Sequence, residues 1–236
     1  MILKGWPLDG NQSRLTPLTP RKALREAAKS VYTSEKYQKR GELGEILLHA
    51  IIRQEFETEP LISKIFFKDS ANDTVKGFDA VHVVMNEGTM QLWLGEVKFY
   101  KSGTDAISDV IGELGVHLEN NYLRQEFTAI CHKVEKTDPL REHVDKLLHA
   151  NRSLDEIFPE LYIPVLLTYN SATLAKYQEF SKEYCEEIEA EFRKYYEKFQ
   201  TLKLKADVKI LLILLPMNTK ELLVNEFDKK LKGLSL

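Results

Sequence analysis

Apolar residues recur along this chain with two periods, and the switches between them mark out the elements. Leu43, Ile46, Leu47, Ala50 and Ile51 fall on one side of a helix at about 100° per residue, and Leu48 and Ile52 widen that face. The pattern predicts a helix over 34–56, with Ser34 as a capping residue. Only a narrow stripe of Glu42, Glu45, His49 and Arg53 stays polar. Gly41 and Gly44 sit inside this helix, each costing about 1 kcal/mol relative to Ala. Such glycines point to close packing, or to something that approaches the backbone beside Glu42 and Glu45.

Three strand-length runs follow, over 62–67, 78–85 and 90–100, and Asn86-Glu87-Gly88-Thr89 makes a turn between the last two. Helical periodicity returns over 103–127, 139–149, 173–201 and 220–231, and 162–168 and 208–215 read as strands, the latter stopped by Pro216. The stripe Tyr177, Phe180, Tyr184, Phe192, Tyr195 and Phe199 reads as the buried side of the 173–201 helix. Upstream, Pro7 and Pro17 mark an irregular arm, and Thr19-Pro20 opens a short helix to Ala28. The chain therefore divides into an arm and short helix over 1–33 and one domain over 34–236, with helical and strand elaborations toward its end. Gly-Glu-Leu-Gly occurs at 41–44 and 112–115, but the flanks differ and no repeat follows. A meander of three strands, then alternating helices and strands, predicts an α/β fold with a mixed sheet covered by helices on both faces.

Composition narrows the setting. The chain has 236 residues, 43% of them apolar, enough for a sizeable core. The longest apolar run, 210–216, is strand-sized, so no membrane span is expected, and the first residues lack the layout of a secretory signal. Two cysteines and six scattered histidines make neither a disulfide framework nor a zinc set. A cytoplasmic protein without a small-molecule cofactor is expected. The net charge is −3, whereas a protein that grips DNA alone usually carries a basic excess. Any nucleic-acid role then needs a local basic patch or a partner.

The candidate chemistry lies on the hairpin. Glu96-Val97-Lys98 is weak on its own, because acid-x-Lys recurs at Asp207-Val208-Lys209 and Asp228-Lys229-Lys230. Context separates the three. Centring the turn between Glu87 and Gly88 sets Asp79 opposite Glu96, Val81 opposite Leu94 and Val83 opposite Leu92. Asp79, Glu96 and Lys98 then share one end of one face, while Phe78, Ala80, Trp93 and Val97 take the other. Asp79 and Glu96, with the carbonyl of Val97, suit a hard divalent ion, Mg²⁺ or Mn²⁺. Lys98 could orient or deprotonate a water, or stabilise charge on a phosphate. Glu45, or else Glu42, could join from the preceding helix. The bland alternatives are a surface ion pair for Glu96 and Lys98 and a solvated face for the helical stripe. A charged pair on a sheet apolar on both faces favours the catalytic reading. His49 and His82 read as structural, and Lys220, Lys229, Lys230 and Lys232 as a solvated face.

The element order, with Asp79 on the second strand and Glu96-x-Lys98 on the third, resembles the PD-(D/E)xK nuclease superfamily, although Phe78 replaces the motif's proline. More narrowly, Lys76-Gly77-Phe78-Asp79 and Leu92-Trp93-Leu94-Gly95-Glu96-Val97-Lys98-Phe99-Tyr100 resemble the HamA nuclease-subunit family of Hachiman anti-phage defence. The resemblance implies a restriction-endonuclease-like fold, a divalent metal cofactor, DNA as substrate, and a helicase partner, HamB. Its Gly-x-x-Gly-Glu setting favours Glu45 over Glu42. Two other readings compete. A stand-alone endonuclease, such as a restriction enzyme or junction resolvase, would need its own basic surface. A non-catalytic adaptor would have no use for an intact Asp79, Glu96 and Lys98.

Overall fold

The computed structural model describes residues 41–62, 77–201 and 208–235. The expected arm, the short helix over 19–28 and the start of the 34–56 helix lie outside them. The described elements begin with α1 (Gly41–Phe56), β1 (Glu59–Ile62), β2 (Ala80–Asn86), β3 (Thr89–Phe99) and α2 (Gly103–His117). Next come α3 (Asn120–Lys133), α4 (Arg141–Leu147), α5 (Leu154–Ile157), a 3₁₀ turn (Phe158–Glu160) and β4 (Leu161–Asn170). The last are α6 (Ala172–Lys176), α7 (Lys182–Phe199), β5 (Lys209–Met217) and α8 (Lys220–Ser235). The five strands form one sheet in the order β1-β2-β3-β4-β5. The first three pair antiparallel, and β3-β4 and β4-β5 pair parallel. This is the α/β mixed sheet that the pattern predicts.

The hairpin register is the expected one, with Val81 opposite Leu94 and Val83 opposite Leu92. Strand alternation then sorts the core. On one face Ala80 and Leu166 pack with Leu48 and Ile52 of α1. On the other, Val81, Val83, Leu92, Leu94, Val165 and Leu167 pack with Ala106, Ile107, Val110 and Leu114 of α2. Glu96 and Lys98 share the parity of Leu92 and Leu94, so they lie under α2. Gly44 and Gly95 let α1 settle closely on the other face. A Cβ on Gly44 would meet Val97 Cγ2 at 3.0 Å, and one on Gly95 would meet Leu48 Cδ2 at 2.7 Å. Close packing thus explains Gly44.

The structure departs from the pattern at several points. The 103–127 helix is two helices, α2 and α3. Leu118 closes α2 with φ −91° and ψ 5°, and Glu119 opens α3 from an extended conformation. Asn120 and Asn121, weak helix formers, favour the break, and buried Leu118 and Leu123 hold both sides of it. The 173–201 helix is likewise cut, by extended Tyr177 and by Ser181, which caps α7. That break spoils the aromatic stripe: Phe199 is buried, but Phe180 is 90% exposed. Pro216 does not stop β5, because β5 is an edge strand that can spare one N–H, and Pro216 pairs with Tyr169. Phe78 lies with the α2 face, against His117, since it precedes β2 and escapes its alternation. The first strand-like run, 62–67, overlaps β1 (Glu59–Ile62) only at Ile62, and 63–67 lie outside the described residues. α5 and the 3₁₀ turn are too short to leave a periodic signal.

The polar stripe of α1 is not a solvated face. Glu45 is 7% exposed. His49 Nδ1 lies 2.5 Å from His82 Nε2, and His82 Nδ1 lies 2.7 Å from Thr58 Oγ1. Burial lowers the pKa of His49 to about 4, with Arg53 adding to the fall and Asp79 opposing it. Burial, then His49 and Arg53, lower that of His82 to about 2. Both rings are neutral and structural, as the sequence suggests.

Candidate active site

β2 and β3 bring the three hairpin residues together at one end of the sheet. Asp79 just precedes β2. Its N–H donates to the Gly95 carbonyl at 2.7 Å, and its Oδ2 accepts the Val97 N–H at 3.0 Å. The carboxylate so extends the ladder by one rung and is held beside Val97. Glu96, 3% exposed, and Lys98, 7% exposed, follow on β3, with Lys98 Nζ 3.3 Å from a Glu96 oxygen.

α2 completes the surroundings. Lys98 Nζ donates to Glu113 and lies 3.4 Å from Asp109, whose other contact is the Tyr100 hydroxyl at 2.7 Å. Burial alone would lower the Lys98 pKa. The hydrogen bond to Glu113 and the charges of Glu96, Glu113 and Asp109 outweigh it and hold the pKa raised. Lys98 is therefore held as an ammonium, which carries no free lone pair to take a proton from water. Glu96 moves the other way. Burial pushes its pKa up to about 7, although the His117 contact and Lys98 pull it down. Glu113, more open, is lowered: burial opposes the shift, but its hydrogen bond from Lys98 prevails.

A cleft of about 510 Å³ opens at this end of β3, and Glu45, Asp79, Val97, Lys98, Lys101 and Lys220 are among its lining residues. Glu45 lines the cleft from α1, on the face of the sheet opposite Glu96. Glu96 sits behind Lys98 on the α2 side. The side chain of Glu42 is outside the described residues. Of the lysine-rich end, Lys220 lines the cleft and donates its Nζ to the Phe99 carbonyl rather than facing solvent freely, and Lys101 beside it pairs with Glu221.

The sequence reading passed over Asp109, Glu113 and His117. They recur every fourth residue on the helix after the Glu-x-Lys strand, which was the available signal. Glu96, Glu113 and His117 each place one ligand atom within 4.8 Å of the others and could hold a metal ion. The fit of a cation here has a physical sign: Glu96 Oε2 is buried without a hydrogen-bond partner.

A family model described as HamA matches residues 9–231 of the chain. The chain belongs to the HamA family. Membership sets it among Hachiman anti-phage defence proteins. Comparison with curated proteins gives no match. The HamA match spans every residue of the cleft and of the α2 cluster, along with all of β1 to β5. No helix among the described residues is long and apolar enough to cross a membrane.

Proposed function

We propose that this chain is a metal-dependent DNA nuclease of the PD-(D/E)xK type, acting in anti-phage defence beside a helicase partner. One observation carries the reading. Glu45, Asp79 and Lys98 line a single cleft at the end of β3, with Glu96 3.3 Å behind Lys98. In this reading Asp79, Glu96 and the Val97 carbonyl hold Mg²⁺ or Mn²⁺, and Glu45 supports them from α1. The ion supplies Lewis-acid activation of the phosphate and a water of lowered pKa. Lys98, held as an ammonium by three carboxylates, meets the charge that grows on the phosphate oxygens. Lys101 and Lys220 take neighbouring phosphates at the mouth of the cleft. The two-carboxylate arrangement suits hydrolysis better than mere binding, because a DNA-binding surface gains nothing from buried acids.

The test is a cleavage assay on linear and nicked duplex with Mg²⁺ or Mn²⁺, with and without the co-expressed helicase. Wild type should cut and Glu96→Gln should lose at least a hundredfold in rate. A correctly folded Glu96→Gln protein that cuts like wild type overturns the assignment.

A further inference from the structure

We propose that β3 and α2 together build a seat for a first-row transition-metal dication from Glu96, Glu113 and His117. As a place for the nuclease's ion it rests on the reading above; as a binding site it stands on the cluster alone.

Two buried atoms point to it. Glu96 Oε2 and His117 Nδ1 are both buried and make no well-formed hydrogen bond; they meet only in a long contact with each other at 3.4 Å. A well-formed N–H···O hydrogen bond stands at about 2.9 Å. Two ligands of one ion stand apart in this way, because bonds of about 2.0–2.2 Å to a common centre separate neighbouring ligands by about 3 Å or more. Glu113 brings the third donor from one turn before His117, and all three ligand atoms lie within 4.8 Å of one another.

The frame is rigid where ligands need it to be. The His117 ring stacks on Tyr122 at 4.5 Å and meets Phe78 edge-on at 5.2 Å. Glu96 is fixed in the strand by the β3–β4 ladder, opposite Val165. Lys98 shares Glu113 with the seat, but Glu96, Glu113 and Asp109 outnumber it, so the cluster still attracts a cation.

The donor set chooses the metal. Mg²⁺ prefers oxygen ligands and keeps its waters, whereas an imidazole nitrogen beside two carboxylates suits the first-row transition ions. The strand pair at Asp79, Glu96 and Val97 offers oxygen alone. Glu96 thus stands between an oxygen-only site and one containing nitrogen.

Mn²⁺ serves as the probe, added to the full chain without DNA. Electron spin echo modulation should show a directly bound nitrogen in the wild-type complex, and His117→Gln should abolish it. Glu113→Gln, a change at a half-exposed position, should weaken Mn²⁺ binding at least tenfold in the same titration. Circular dichroism checks that each variant is folded, and Glu113→Gln decides should His117→Gln not fold. Absence of the nitrogen signal from wild type, its persistence in folded His117→Gln, or unchanged affinity in Glu113→Gln overturns the seat. Cleavage is measured separately. A nitrogen signal without cleavage keeps the seat and removes the nuclease reading, while cleavage without the signal does the reverse.

Discussion

At the scale of single residues, the hairpin carries a buried acid and a buried base that depend on each other. Lys98 pairs with Glu96, Asp109 and Glu113. Lys98→Met leaves those carboxylates facing each other. It should abolish cleavage and destabilise the fold by about 1–3 kcal/mol, less than the ~3–5 of a fully buried pair because water reaches Asp109 and Glu113. Urea titration of the purified variant measures this, and an unchanged midpoint contradicts it. Glu96 also sets a pH dependence. Its pKa rises from 4.5 to about 7, so the metal-free fold binds a proton that the unfolded chain has released. The stability this contributes is complete below 4.5 and is lost as pH climbs through 7, on the order of 3 kcal/mol. Melting in EDTA at pH 5 and pH 8 should show a steeper loss for wild type than for Glu96→Gln. Equal slopes would mean that Glu96 ionises freely in the fold.

At the scale of elements, α1 is positioned by glycine on one side and by histidines on the other. Gly44→Ala puts a methyl 3.0 Å from Val97 Cγ2 and 3.1 Å from Phe99 Cβ. Phe99 Cβ belongs to the strand and cannot swing away, so overpacking should outweigh the gain in helix propensity of about 1 kcal/mol. Gly112 of α2 meets nothing within 4 Å, so Gly112→Ala should raise the melting temperature. Thermal melts of the two variants should move in opposite directions. His49 and His82 tie α1 to β2 while neutral, with pKa values lowered from 6.5 to about 4 and about 2. Their contribution is full above 6.5 and falls as pH drops from 6.5 through 4 toward 2, opposite in sign to that of Glu96. Urea midpoints at pH 7 and pH 5 should therefore differ more for wild type than for a His49→Leu/His82→Leu double variant. The reverse order would place a charged histidine in the fold.

At the scale of the whole molecule, charge bears on the proposed hold on DNA. The net charge is −3, and the cations at the cleft are few: Lys98 is occupied by carboxylates, and Lys101 pairs with Glu221. Each phosphate neutralised strengthens binding by counterion release, so the lone chain should bind duplex weakly near physiological salt. Fluorescence titration in Ca²⁺, which blocks cutting, should show binding that strengthens at least tenfold when the helicase is added. Tight binding by the chain alone, unaltered by the helicase, favours a stand-alone endonuclease.

Much of this was legible in the sequence because it depends on local periodicity. The turn at Glu87-Gly88 sets the hairpin register, and that register puts Asp79 beside Glu96-x-Lys98 independently of any contact from outside the hairpin. The strand meander and the order of helices followed from the same alternation. Other features depend on what meets what across the fold. A one-dimensional pattern does not say that Glu113 and His117 of α2 would cover Glu96. Nor does it say that the polar stripe of α1 would turn inward onto His82. Periodicity reports which residues share a face, but burial and ionisation are set by the element packed against that face. Only the tertiary structure could therefore make Lys98 a fixed ammonium and Glu96 a carboxyl that titrates near neutrality.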